Sequence, residues 1–312
     1  MRSAELDYDL PPELIAQHPA GRRDDSRLLV YERATGAVRH RRFADLPDEL
    51  DGELVVINDT RVVPARLHLK RATGGDAEVL LLEPLGEGVW EALARPSRRL
   101  RVGERLGPVE LLAPLGEGRW HVRLDGEPDG EPPLPPYISE PLAEPGRYQT
   151  VYADDPGSAA APTAGLHFTP ELLARLDVEH VTLHVGLDTF RPLVVDELEE
   201  HRLHGERYRV APESWARIEA ADRVLAVGTT TVRVLETIAG DGQLEGRTSL
   251  YVLPGFTFRR VDALLTNFHL PRSTLLALVM AFAGVDQVRD LYELAIADRY
   301  RFYSFGDAML IL

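Results

Sequence analysis

The chain has 312 residues, of which 44% are hydrophobic, a formal net charge of −15 and no cysteine. This composition is typical of a folded protein of one or two domains, and it excludes disulfides, thiolate nucleophiles, cysteine-ligated zinc and iron–sulfur clusters. The longest apolar run, residues 275–285, is far shorter than the roughly 20 residues that cross a bilayer.

The start of the chain has neither the apolar core nor the cleavage site of a secretory signal, so a cytoplasmic location without membrane attachment is predicted. Lys70 is the single lysine and follows Leu69 rather than glycine, which excludes a phosphate-binding G-K-[ST] loop. The acidic balance argues against general adhesion to polyanions, although it leaves RNA binding open.

The N-terminal segment contains strand-like runs at residues 27–31, 38–43 and 54–57. Beyond Lys70 the pattern changes to short β-like runs separated by glycine and proline. Within it, PLGEGVW at residues 84–90 recurs as PLGEGRW at residues 114–120, which predicts two similar hairpins with Trp90 and Trp120 in their core. Residues 126–147 hold too many prolines for a helix or a central strand and are read as a return linker.

From Thr169 onward, helical and strand-like segments alternate. Strands are predicted at residues 178–185, 224–227, 250–253 and 308–312, and helices at residues 212–222, 232–239, 275–284 and from a cap at Asp286 to about Tyr300. Ser273 or Thr274 is the expected cap of the apolar helix. The predicted fold class is therefore α/β: a large mixed α/β domain (residues 1–69 and 148–312) with an inserted small all-β, barrel-like domain (residues 70–147).

Polar residues that follow the predicted strands are the candidate functional sites, because ligands collect at the carboxyl ends of strands in α/β sheets. Thr229 and Thr230 follow a glycine turn at a helix start, where free N–H groups suit a carboxylate or ribose hydroxyl; simple helix capping is the alternative. His184 ends an apolar strand, and a hydrogen-bonded core histidine is the alternative there.

Two further segments are candidates. HRLHGE at residues 201–206 places His201, His204 and Glu206 close together, but Gly205 breaks the helix that would align the imidazoles, so no metal site is predicted. The loop at residues 266–273 contains Asn267, His269 and Ser273 between two apolar segments.

Arginines cluster at Arg95, Arg98, Arg99 and Arg101. A solvated charged face is the commoner explanation for such a cluster, and contact with RNA phosphates is the functional hypothesis that we retain for it.

Read together, several long motifs resemble one family, the S-adenosylmethionine:tRNA ribosyltransferase-isomerases of queuosine biosynthesis. The motifs are VINDTRV (56–62), LPPYI (134–138), GSAAAPTAGLHF (157–168), HVGLDTF (184–190), HRLHGE (201–206), GTT (228–230), TNFHLPRST (266–274) and YRFYSFGDAMLI (300–311). The chain departs from the usual family residues at Ala159, Asp188, Leu203 and Thr231, and Asp188 adds a charge near the expected site.

The resemblance implies a reaction in which the ribosyl part of S-adenosylmethionine, a co-substrate, is transferred and isomerised onto 7-aminomethyl-7-deazaguanine at the wobble position of tRNA. The product is epoxyqueuosine, with adenine and methionine released, and no metal or iron–sulfur cluster is needed. The expected partner is the anticodon loop of tRNA, bound by a monomer.

This chemistry needs a base and a leaving-group acid in a dry pocket. We expect His167, His184 or His269 to be the base, in one pocket formed by loops within residues 162–273. Thr163, Thr229, Thr230 and Asn267 are expected to hold ribose or methionine, and Arg233 and Arg301 to offset carboxylate or phosphate charge. The other residues predicted to contact substrate are Asn58, Asp59, Arg61, Phe168, Asp188, His201, His204, Glu206, Ser273 and Asp307.

Two other functions fit less well. An S-adenosylmethionine-dependent tRNA methyltransferase would leave S-adenosylhomocysteine, and the glycine-rich turn of such enzymes is absent after the first predicted strand. A non-catalytic RNA-binding protein would consume no donor, and the acidic net charge disfavours it.

Overall fold

The computed structural model describes residues 1–186, 195–203 and 205–312. The strands in these residues are β1 (Arg27–Glu32), β2 (Ala37–Arg42), β3 (Leu54–Asn58), β4 (Thr60–Val62), β5 (Arg66–Lys70), β6 (Asp76–Gly86), β7 (Val89–Arg95), β8 (Arg105–Leu106), β9 (Val109–Gly116), β10 (Arg119–Leu124), β11 (Asp155–Ser158), β12 (Val178–Leu183), β13 (Glu206–Arg209), β14 (Val224–Val227), β15 (Glu245–Thr248), β16 (Ala263–Asn267) and β17 (Ala308–Ile311). The α-helices are α1 (Leu46–Glu49), α2 (Pro170–Leu173), α3 (Pro212–Ala220), α4 (Thr229–Asp241), α5 (Thr274–Ala283) and α6 (Val285–Ala297). None of these helices is long and apolar enough to cross a membrane.

A nine-stranded mixed sheet forms the larger part of the fold, in the order β15-β13-β12-β3-β14-β16-β17-β1-β2. Its centre, β12-β3-β14-β16, is parallel, and β13, β15 and β17 join it in antiparallel pairs. The central strands are apolar along their length because both faces are covered. In β3, Leu54 and Val56 face one hydrophobic cluster, whereas Val55 and Ile57 face the other.

A second sheet of six antiparallel strands, β5-β6-β7-β10-β9-β8, is nearly closed and barrel-like. It surrounds its own hydrophobic cluster, which includes the buried Trp120 and the partly buried Trp90. The edge strands β5 and β8 come close together at their ends, where Gly107 lies beside the Leu69 side chain. The architecture is thus α/β with a barrel-like sheet, and the exact division into a parent and an inserted domain stays a prediction.

The two predicted hairpins are confirmed as β6–β7 and β9–β10. Their turns have the same backbone: Glu87 and Glu117 both have φ of 50°, and the glycines that follow have φ of 72° and 83°. Two consecutive residues with positive φ are what a two-residue hairpin turn requires, and glycine supplies the second at no steric cost.

Several expected elements are placed differently. Residues 250–253 form no strand; the strand in this region is β15, which pairs with β13, and the parallel partner of β14 after α4 is β16. Helix α4 begins at Thr229, includes Gly240 and ends at Asp241, with Gly242 as its C-cap at φ of 72°. Gly284, not Asp286, stands at the N-cap of α6. Ser273 caps α5 as predicted, accepting a hydrogen bond from Leu276 N at 3.2 Å.

The carboxylate of Glu236, on α4, fixes the chain that leads into β16. It is 3% exposed and accepts hydrogen bonds from the backbone N–H groups of Arg259, Arg260 and Val261 at 2.8–3.0 Å. Three N–H donors to one buried carboxylate satisfy its charge without a cationic partner.

We expect Glu236→Gln to lower the free energy of unfolding by about 1–3 kcal/mol. The three backbone N–H groups now bond to two carboxylate oxygens, whereas the amide of glutamine has only one acceptor oxygen. Chemical denaturation measures this change. The matched control is Glu219→Gln on the exposed face of α3; equal losses for both variants would contradict the assignment.

Candidate active site

A cavity lies between the two sheets, which we call the inter-sheet cavity. One wall comes from the barrel-like sheet through Leu82, Glu83, Pro84, Glu91, Leu93 and Arg119. The opposite wall comes from the large sheet and its helices, through the end of β12, the start of β13 and the first turns of α4 and α5. The sequence predicted the second wall only, since no local pattern shows which face of a hairpin meets a distant sheet.

The first turn of α4 is one side of this cavity. Gly228 has φ of 87°, which turns the chain from β14 into the helix, and Thr229 and Thr230 line the cavity. The N–H groups in the first turn of a helix have no intrahelical partners and carry the positive end of the helix dipole. This end of α4 is therefore suited to an anionic or hydroxyl-bearing group.

His184 is the only one of the three histidines predicted to be catalytic that lines the inter-sheet cavity. Its Nδ1 lies 2.9 Å from Thr60 Oγ1, and a Cβ added at Gly157 would stand 2.9 Å from its Cε1. The ring is thus held between a hydroxyl and a glycine backbone, and Nε2 is the nitrogen left for a substrate. Burial is the main cause that lowers its pKa below the ordinary 6.5, with a smaller opposing effect from Asp155.

Glu206 and Arg233 form a buried ion pair that lines the cavity. Glu206 Oε1 accepts a hydrogen bond from Gly186 N at 2.8 Å. Arg233 donates to the carbonyls of Thr248 and Leu250 at 3.0 and 2.9 Å. The pair therefore ties together the segments after β12 and β15, so its position favours a supporting role over direct contact with a substrate.

Ion pairs also link the two walls. Glu83 of the barrel-like sheet accepts a hydrogen bond from Arg247 at 2.6 Å and lies 4.0 Å from Arg207, and both arginines belong to the large sheet. On the barrel side, Arg119 is paired with Glu91. The cavity thus carries charges of both signs.

His167 lies outside this cavity. Its Nδ1 is 3.0 Å from Ser26 Oγ, its Nε2 is 3.3 Å from Asn267 Nδ2, and its ring packs against Phe43. Burial lowers its pKa to about 3, so it is neutral at physiological pH. The prediction that His167, Thr229 and Asn267 line one pocket is wrong, because each of these side chains lines a different cavity, although His167 and Asn267 are in contact.

A second, smaller cavity is lined by Asn267 and His269, together with Tyr137, Thr163, Ser273, Tyr303 and neighbouring residues; we call it the neutral cavity. His269 Nε2 is 2.7 Å from Thr266 Oγ1, and burial lowers the His269 pKa to about 3. Leu275 lines both this cavity and the inter-sheet cavity, so the two are neighbours.

Other predicted contact residues have structural partners. The buried amide of Asn58 bonds Leu183 through both its atoms, and Phe168 is fully enclosed in the core. Asp307 accepts hydrogen bonds from Arg27 N and Arg301 N at 2.9 and 2.8 Å. These three positions support the fold and line none of the cavities described above, which corrects the expectation of direct contact.

The remaining predicted residues lie elsewhere. Asp59 accepts a hydrogen bond from Thr182, and burial raises its pKa. Arg61 donates to the Ala153 carbonyl, Arg301 to the His18 carbonyl, and His201 packs on Tyr251. Asp188 and His204 lie outside the described residues. Within the described residues, no group of three or more histidines and carboxylates is placed to hold a metal ion.

The predicted RNA-contacting arginines are solvent-exposed at the end of β7 and in the turn after it: Arg95, Arg98, Arg99 and Arg101. Their neighbours differ, since Arg71 is paired with Glu104 and Arg105 with Asp125. In the part of the chain that the structure describes, none of the four guanidinium groups forms an ion pair within 4.0 Å of a carboxylate, although the charge of Arg101 acts on Glu104.

Comparison with known proteins supplies the family. A family model described as "Queuosine biosynthesis protein" matches residues 3–311. An S-adenosylmethionine:tRNA ribosyltransferase-isomerase of Rubrobacter xylanophilus is 53% identical over 328 residues, which cover 100% of this chain and 98% of that protein. One of Symbiobacterium thermophilum is 51% identical over 341 residues, which cover both proteins in full.

A solved structure is also similar. The crystal structure of S-adenosylmethionine tRNA ribosyltransferase from Thermotoga maritima matches with a TM-score of 0.58 and 38% identity, over 99% of this chain and 100% of that one. Sequence and structure agree along the whole length, and on these matches the chain belongs to the queuosine biosynthesis family.

Proposed function

We propose that the chain is an S-adenosylmethionine:tRNA ribosyltransferase-isomerase whose inter-sheet cavity binds the donor. The observation that carries the site assignment is a cavity with both signs of charge that lies between two sheets, beside the N-terminus of α4. S-adenosylmethionine combines a sulfonium cation with a zwitterionic amino acid, so a cavity with charges of both signs complements it. The acceptor is 7-aminomethyl-7-deazaguanine at the wobble position of tRNA, and the product is epoxyqueuosine.

The first turn of α4 is assigned to the anionic or hydroxyl end of the donor. Thr229 and Thr230 supply hydroxyls there, and the free N–H groups of the turn favour negative charge. The guanidinium group of Arg233 lies on the same helix, but it donates hydrogen bonds to backbone carbonyls and is paired with Glu206. We therefore assign Arg233 a positioning role.

His184 is assigned as the base that removes the proton beside the sulfonium. It lines the cavity, its Nδ1 is held by Thr60, and its lowered pKa keeps the ring neutral and able to accept a proton at physiological pH. His167 and His269 do not take this role in the proposal, because enclosure lowers both pKa values to about 3. Such weak bases drive proton abstraction poorly.

Binding of tRNA is assigned to the exposed arginines at positions 95, 98, 99 and 101, with the anticodon loop placed near the inter-sheet cavity. Unpaired loop bases can be turned outward into a pocket, which duplex bases cannot do without a cost. The proposal includes a cytoplasmic monomer, since tRNA is the acceptor and the site assigned here is built from one chain.

Product analysis tests the function. Incubation of the protein with S-adenosylmethionine and tRNA that carries the deazaguanine is expected to release adenine and methionine and to form epoxyqueuosine, detected by liquid chromatography and mass spectrometry. S-adenosylhomocysteine as the product would establish methyl transfer instead. Donor that stays intact while tRNA binds would indicate a binding protein.

His184→Asn should lower the single-turnover rate about 10²–10⁴-fold, the usual contribution of a positioned base. In the protein without this substitution, the single-turnover rate should fall as the pH drops through the His184 pKa, which lies below 6.5, because the base becomes protonated. The variant should lose the part of this acid limb that follows the His184 pKa. The matched control is His180→Asn, on β12 just before His184 but outside the cavity; an equal loss in both variants, or an unchanged limb, would remove His184 from the role.

Replacing Arg98, Arg99 and Arg101 by glutamine should weaken tRNA binding and flatten its dependence on salt. Each phosphate contact contributes about −0.7 to −0.9 to the slope of log K against log salt concentration. The KM for S-adenosylmethionine should stay unchanged. A triple variant of exposed arginines held in surface ion pairs, Arg175, Arg209 and Arg289, is the control. Identical slopes in all three proteins would place the RNA elsewhere.

A further inference from the structure

The neutral cavity is assembled from four segments that lie far apart in the sequence. Tyr137, Thr163 and Tyr303 come from three of them, and the fourth is the loop at residues 267–273 before α5. Tyr303 has φ of 73°, a backbone conformation that is costly for a residue with a large side chain. Its carbonyl accepts a hydrogen bond from Asn267 Nδ2 at 2.9 Å, so this strained residue fixes the orientation of Asn267.

Asn267 has one atom to offer a ligand. The side chain is 2% exposed, and its two N–H bonds point to the Tyr303 carbonyl and to His167 Nε2. Its Oδ1 is buried and has no hydrogen-bond partner among the described residues. A buried carbonyl oxygen without a donor costs free energy, so Oδ1 is available to accept an N–H of a ligand that enters the cavity.

His167 makes this orientation possible. It can accept from Asn267 only through an unprotonated Nε2, which agrees with its neutral state at physiological pH. The imidazole therefore acts as a positioning residue: it holds the amide N–H and leaves Oδ1 as the acceptor.

The lining of the neutral cavity carries no formal charge at pH 7 in the residues that the structure describes. Its titratable members are His269, Tyr137 and Tyr303, with His167 behind Asn267. Burial lowers the His269 pKa to about 3 and raises the pKa of Tyr137 to about 12 and that of Tyr303 further. All four side chains are neutral, and a group that enters the cavity meets acceptors but no counter-ion.

We propose that the neutral cavity binds the aminomethyl amine of the acceptor base as the uncharged free base, with Asn267 Oδ1 accepting its N–H. This assignment rests on the proposed function and divides the reaction between two neighbouring cavities, one for the donor and one for the nucleophile. An environment without counter-charge disfavours an ammonium ion. The amine therefore stays unprotonated, and its nitrogen lone pair is available for nucleophilic attack. Ser273 lines the neutral cavity, Thr274 the inter-sheet cavity and Leu275 both, so the proposed amine and donor sites adjoin at the start of α5.

A carboxylate introduced into the neutral cavity tests this assignment. Thr163→Asp should stabilise the ammonium form and shift the pH dependence of the single-turnover rate to higher pH by about one unit or more, which is about tenfold slower at neutral pH. Thr163→Asn has nearly the same shape without the charge and should keep the original pH dependence. Because both variants retain His184, a difference between them reports the amine. Superimposable profiles would overturn the proposal.

Asn267→Ala gives a second readout. It should reduce, by about tenfold, the preference for tRNA that carries the aminomethyl base over tRNA with guanine at the wobble position, while binding of guanine tRNA stays unchanged. Thermal melting checks that the variant folds. A raised KM for S-adenosylmethionine with an intact tRNA preference would assign the cavity to the adenine amino group and overturn the proposal. If the proposed function itself is wrong, the protein without any substitution releases no adenine, which is a separate outcome.

Discussion

The geometry of the candidate active site depends on the amide of Asn58. This side chain stands at the end of β3, in the middle of the large sheet, and is fully buried. Its Oδ1 accepts hydrogen bonds from Leu183 N and Thr60 N, and its Nδ2 donates to the Leu183 carbonyl and to Thr230 Oγ1. One amide therefore sets the distance between the residue before His184 and the first turn of α4. Both proposed donor-binding elements follow from where this group is held.

Much of the large sheet was predictable because burial on both faces imposes an apolar strand. Residues 224–227 were predicted with their exact bounds, and the repeated PLGEG motif predicted two hairpins that the structure confirms. The strand β15 was missed because it is a short, exposed edge strand, EGRT, with no apolar alternation. The apolar residues at 250–253 suggested a strand instead, although they are apolar because they pack around the inter-sheet cavity and the core.

The site was predicted in part, for reasons of a similar kind. Thr229, Thr230 and His184 follow strands, and the rule that ligands bind at strand ends selected them, whereas Glu206 is the first residue of β13. His167 and His269 were grouped with them because a histidine in a long motif suggests acid–base chemistry. Their enclosure, which removes that chemistry, depends on distant side chains such as Phe43 and Tyr292 and leaves no local signal. The wall from the barrel-like sheet was missed for the same reason.

Comparison of the two similar hairpins distinguishes the residues that stabilise the barrel-like sheet from the residues that this sheet contributes to the cavity. Both copies keep the proline, the turn glycines and the tryptophan, yet the charged positions that line the cavity differ: Glu83 corresponds to Ala113, Glu91 to His121, and Arg119 to Val89. The charges thus occupy sites where the repeat tolerates variation. In the proposed donor assignment, the selectivity of the cavity can therefore change through these three positions without a change in the packing of the hairpins that carry them.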